Sequence, residues 1–108
     1  MRMARASGID FMSVNEAALR ALPAIVRRWL PEGRRQGREW VARNPRRQDR
    51  TLGSFKVNLL TGRWADFAVG AAGGDVVSLA AYLFGLSQGE AARKVAAMLS
   101  IDASGRLR

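Results

Sequence analysis

The sequence predicts an α+β domain in which a small antiparallel sheet packs against helices. Three features point to this. Residues 53–75 read as a β-hairpin that runs through a glycine-rich turn into a helix start, residues 76–99 as two helices in succession, and residues 13–30 as a helical lead-in. In the hairpin, Phe55 and Val57 alternate with Ser54, Lys56 and Asn58, and 63–67 is similarly rich in aromatics, as expected of short half-buried strands. The link Leu59-Leu60-Thr61-Gly62 is short enough to force antiparallel pairing, and Gly62 can adopt the positive φ of a hairpin loop.

Residues 1–12 show no apolar period and are expected to form a flexible arm. Ser13 and Glu16 have capping-box spacing, which predicts a helix start at Ser13. Pro23 then predicts a break, followed by a short helix over 24–30 with Ile25, Val26, Trp29 and Leu30 on its apolar side and Arg27 and Arg28 toward solvent. The polar, basic stretch 34–38 leads to a first strand at 39–41, and residues 44–50 have the chemistry of a charged loop.

Asp75 is a good N-cap for the apolar helix 76–84, which Gly85 ends, and Ser87 with Glu90 forms a second capping box ahead of a helix reaching Leu99. Trp29, Trp40, Phe55, Val57, Leu79 and Leu83 are the expected core. The pattern is lost beyond Ser100, so the reading is one domain over 13–101 with a tail or linker at 102–108.

The charge narrows the function. Eighteen basic residues stand against nine acidic ones for a net charge of +9, and all the basic residues except Lys56 and Lys94 are Arg. This surplus suggests an anionic partner, and the arginine bias favours phosphate contact and stacking over mere solubility. Between Arg27 and Arg63 there are eleven basic residues and only three acidic ones, Glu32, Glu39 and Asp49.

The chain has no His and no Cys, which excludes disulfides, thiol nucleophiles, imidazole bases and classical zinc sites; no cofactor is implied. The nine carboxylates are scattered without a paired arrangement for two-metal phosphoryl transfer, so no catalytic activity is expected. No stretch approaches the roughly 18 apolar residues of a membrane span. A cytoplasmic protein without a membrane partner is the expectation.

The order of Ser54, Phe55, Val57, Trp64, Gly73, Gly74, Asp75, Val76, Ser78 and Leu79, followed by Gly85, Leu86, Ser87, Glu90 and Ala91, resembles the N-terminal zinc ribbon of bacterial and phage DNA primases. The resemblance spans 40–101 and is nearest to the version at the start of primase and helicase replication proteins of phages and integrative elements. Zinc-bearing members hold their metal with a Cys-x-x-His near the first strand and a Cys-x-x-Cys between the hairpin and Gly-Gly-Asp. Here the first pair falls at about Pro45 and Gln48; the second falls at Asp66 and Val69 aligned from the hairpin, or Phe67 and Gly70 counted back from Gly-Gly-Asp. The resemblance therefore implies a metal-free ribbon in which packing by residues such as Phe67 replaces the folding energy of zinc.

It also implies a module that engages single-stranded DNA template, or RNA, beside primase catalytic or helicase domains. The residues agree with this independently. Lys56, Arg63 and Trp64 on a strand face, flanked by Arg46, Arg47 and Arg50, would offer phosphate contacts beside an aromatic platform, with Arg34, Arg35 and Arg38 as further candidates.

The plainer reading of Trp64 is burial under the helices, and that of the loop arginines is a solvated charge run. Asp75 reads as a cap rather than a catalytic acid. The alternative function is a protein-interaction module that docks on a replicative helicase or primase core. A transcriptional regulator fits less well, because no helix-turn-helix with a basic second helix is present.

Overall fold

A computed structural model describes residues 8–46 and 54–107. Within them the chain forms α1 (Phe11–Arg20), α2 (Leu22–Trp29), β1 (Arg34–Gln36), β2 (Glu39–Ala42), β3 (Phe55–Asn58), β4 (Trp64–Asp66), β5 (Ala71–Gly73), α3 (Val76–Phe84) and α4 (Gln88–Met98). The five strands form a single antiparallel sheet in the order β1-β2-β3-β4-β5, so each strand pairs only with its neighbours in sequence. The fold is α+β, as expected, with two more strands than the residue pattern shows.

The extra strands are the two edges. All three residues of β1 are exposed and polar, and β5 is Ala-Ala-Gly. Neither edge needs the apolar alternation that makes a central strand visible, because only one side of an edge strand is paired and little of it is covered.

The first helix also differs from expectation. Its N-cap is Asp10, whose carboxylate accepts from Ser13 N at 3.0 Å and from Ser13 Oγ at 2.9 Å. Ser13 thus lies inside the first turn, and residues 8–12, expected in a flexible arm, lead into the helix and form its start. The break at Pro23 is present, since α1 ends at Arg20 and α2 begins at Leu22 with proline in its first turn, where a missing N–H costs nothing.

Residues 102–107, expected as a tail, return to the domain. Ile101 bridges to Leu107, and Asp10 N donates to Ala103 O at 2.9 Å.

The helices cover one face of the sheet. Trp40, Val57, Trp64 and Gly73 stand in register across β2 to β5 on that inner face, and Ala42, Phe55, Asp66 and Ala71 form the next row. Phe55 is fully buried and stacks on Trp64 at a centroid distance of 5.8 Å; Tyr82 from α3 packs 4.9 Å from Trp64. Burying one such aromatic contributes about 2–3 kcal/mol. Gly73 is required here, because any Cβ at that position would collide with the Trp64 indole nitrogen and the Ser78 hydroxyl.

The α1 helix closes the far side. Its Asn15 Oδ1 accepts from Val77 N at 2.8 Å, satisfying a first-turn amide of α3 that has no partner within its own helix. Ser78 N of that turn donates to Asp75 Oδ1 in the Asp75–Ser78 capping box, and Gly85 ends α3 in the left-handed conformation. Ser87 and Glu90 form the expected second box on α4.

Of the expected core, Trp40, Phe55, Val57 and Leu79 are buried, whereas Trp29 and Leu83 are half-buried at its margin.

Candidate nucleic-acid interface

Strand parity decides which side chains the helices leave uncovered. With Phe55 and Val57 on the inner face, Lys56 and Asn58 point the other way; with Trp64 and Asp66 inside, Arg63, Ala65 and Phe67 do the same. The hairpin register sets Lys56 opposite Ala65, and Ala65 opposite Ala72 of β5. Gly62, at φ 80°, closes the loop that fixes this register, and Gly62 N donates to Asn58 O at 2.8 Å.

The outcome is a shallow recess of about 380 Å³ on the open face, with Glu39, Lys56, Asn58, Arg63, Phe67 and Ala72 among its lining residues. The small side chains of Ala65 and Ala72 leave room in it.

Phe67 is the aromatic of this face, and 70% of it is exposed. Lys56 Nζ lies 5.8 Å from its ring centroid, so a cation and a flat apolar surface are presented together. Arg63 is exposed at the end of the recess. Arg34 belongs to the same face through its register with Val41, itself opposite Lys56. Val41 is buried, so the recess does not reach β1; it lies over β3 to β5, with Glu39 of β2 the carboxylate at its margin.

Two expectations are corrected. Trp64 is 6% exposed and its Nε1 donates to Ser78 Oγ at 3.0 Å, so it is core and offers no platform for a base. Phe67, expected to pack inside in place of a metal, is the exposed aromatic instead. The signal that identifies it is parity: once Trp64 is assigned to the helical side, the residue three positions on must face away.

The remaining candidates scatter. Arg46 turns to the helical layer, where its Nη1 donates to Tyr82 O at 2.8 Å and its guanidinium sits 5.4 Å from the Tyr82 ring. Arg35 shares the register row of Trp40 rather than that of Lys56, and its Nε donates to Gly37 O. Arg38 is exposed at the β1–β2 turn. Arg47 and Arg50 lie outside the described residues.

A polar clamp joins Asp66, one of the positions where the resemblance sets a metal ligand, to Asn44, the neighbour of another. Asn44 and Asp66, both buried, are joined by Asn44 Nδ2 donating to Asp66 Oδ2 at 2.6 Å, and the same amide nitrogen lies 2.7 Å from Tyr82 Oη. Each residue also organises its own loop. Asn44 Oδ1 accepts from Arg46 N at 2.8 Å, and Asp66 Oδ1 accepts from Ala68 N at 2.9 Å. Asp66 O further accepts from Gly70 N, also at 2.9 Å.

Two tight turns, one after β2 and one after β4, are thus linked by a hydrogen bond. Without His or Cys, this donor set does not fit tetrahedral zinc, and among the described residues no three carboxylates converge.

The sequence matches no protein-family model, and no curated protein matches it significantly. Among the described residues, no helix is long and apolar enough to cross a membrane.

Proposed function

We propose that this domain is a non-catalytic module that binds single-stranded nucleic acid on the open face of its sheet, serving a primase or primase-helicase of a phage or mobile element. The observation that carries the binding function is the grouping of Lys56, Arg63 and Phe67 around one recess on the face the helices leave free. A single strand can place a base flat on Phe67 while its phosphates follow Lys56, Arg63 and Arg34. A duplex hides its base faces and gains nothing from the aromatic. Glu39, at the margin of the recess, is available to accept from a base amino group. The replication setting rests on the family resemblance.

The test is fluorescence anisotropy with labelled oligothymidylate across a salt series. Three phosphate contacts predict a log-log slope of about −2 for a single strand. Phe67→Ala is expected to weaken binding by about 1–3 kcal/mol without changing that slope, because stacking releases no counterions. A Lys56→Ala/Arg63→Ala/Phe67→Ala variant that binds as well as the parent at low salt would exclude this surface and leave the helicase- or primase-docking function in its place.

A further inference from the structure

A second cationic and apolar cluster lies on the helical layer, away from the open face, where the ends of α2 and α3 meet the middle of α4. Trp29 and Phe84 contact each other at 5.4 Å with their planes at 86°, and Lys94 Nζ lies 4.6 Å from the Phe84 centroid. Beside them is a recess of about 450 Å³ lined by Arg28, Trp29, Lys94, Ala97 and Met98. Its charged lining groups are both cations. Glu90, one turn before Lys94 on α4, has its carboxylate committed to Ser87 N at 2.9 Å.

We infer that this recess is a docking site for an acidic segment of a partner protein, in which one bulky apolar side chain is flanked by carboxylates. Charge complementarity selects the flanks: Arg28 of α2 and Lys94 of α4 both line the recess and suit carboxylates beside a central apolar residue. The lining selects the anchor. Met98 is an adaptable thioether and Ala97 leaves space, so an aliphatic or aromatic side chain can seat beside the Trp29 ring.

The geometry favours a peptide over nucleic acid. The aromatic pair is packed at right angles and Phe84 is 41% exposed against 70% for Phe67, so the cluster presents less free ring for a base to stack on. This site is separate from the open sheet face and does not depend on the function proposed for it.

A fluorescein-labelled peptide with a central phenylalanine between aspartates tests the assignment by anisotropy. Saturable binding is expected, weakened about tenfold or more by Lys94→Glu and by Ala97→Glu, both at exposed helix positions, and by replacing the peptide phenylalanine with alanine. Lys94→Gln, which keeps the helix but removes the charge, is expected to fall between. Thermal melts and oligothymidylate binding of the same variants are expected to match the parent.

Absence of saturable peptide binding, or binding indifferent to both glutamate variants, would overturn the proposal. So would a loss of oligothymidylate affinity in Lys94→Glu as large as that in Lys56→Glu, which would assign the cluster to nucleic acid.

Discussion

Asn44 Nδ2 donates to Asp66 Oδ2 at 2.6 Å, joining the loop after β2 to the end of β4 inside the fold. Both side chains are buried, so a partner removed from one leaves the other desolvated with a contact missing. Asn44→Ala is expected to destabilise the domain by about 2–4 kcal/mol, because it takes a donor from a buried carboxylate. Asn44→Asp should be at least as harmful, since it sets two carboxyl groups together. Chemical denaturation of the three proteins checks the order; an Asn44→Ala protein as stable as the parent would show that the clamp contributes nothing.

Trp64 and Phe67 are expected to respond in opposite ways. Trp64→Ala removes a buried ring and the Nε1 bond to Ser78 Oγ, and should cost about 3–5 kcal/mol of stability. Phe67→Ala, at a position 70% exposed, should leave the melting temperature within about 2–4 °C of the parent, about ±0.5 kcal/mol, while reducing oligonucleotide affinity. Thermal melts beside binding titrations separate the two. A Trp64→Ala protein that melts like the parent would contradict the core assignment.

This contrast shows how far the residues can be read without coordinates. The hairpin, the Asp75 and Ser87 caps, the Pro23 break and the α3–α4 pair are legible because each rests on local chemistry: a turn glycine, a capping oxygen, a missing N–H. Which face of the hairpin meets the helices is a tertiary choice. Alternation separates Lys56 and Phe67 from Phe55 and Trp64 but does not say which set is covered.

The edge strands were hidden for a related reason, as Arg34–Gln36 and Ala71–Gly73 bury little and therefore carry no hydrophobic period. Asp10 does not stand out as a cap because Ser13 and Glu16 offer an equally good box three residues on.

Acid should weaken the domain through its caps. Asp10, Glu90 and Asp102 are each held below the usual carboxylate range, chiefly by hydrogen bonds from Ser13 N, Ser87 N and Ser104 respectively. A carboxyl group with a depressed folded-state pKa stabilises above its unfolded value and loses that contribution as pH falls through the folded one. The melting temperature is therefore expected to be flat from pH 7 to about 5 and to drop below about pH 4. Asp10→Asn should lessen the drop. With no histidine in the chain, oligonucleotide binding should be unchanged between about pH 5 and 8.

Gly73→Val is expected to be among the most harmful single changes at the sheet. A side chain there meets the Trp64 indole nitrogen and the Ser78 hydroxyl together, so the strand must move off the helix or the buried bond must break. A loss of more than about 3 kcal/mol is the expected outcome in denaturant unfolding. Gly74→Val, where the space beside the backbone is open, should cost far less and serves as the control.

The strict neighbour-to-neighbour order of the five strands has a kinetic consequence. Every ladder closes over a short stretch of chain, so loop-closure entropy is small at each step and the sheet's pairings can form early and fast. Contacts that span the chain, such as Asn15 with Val77, must wait until α1 has swung onto α3. The seating of the leading helices on a preformed meander is then the expected rate-limiting event. Mutations at the α1–α3 contacts made in that step should slow folding, whereas mutations at contacts made after it should mainly speed unfolding.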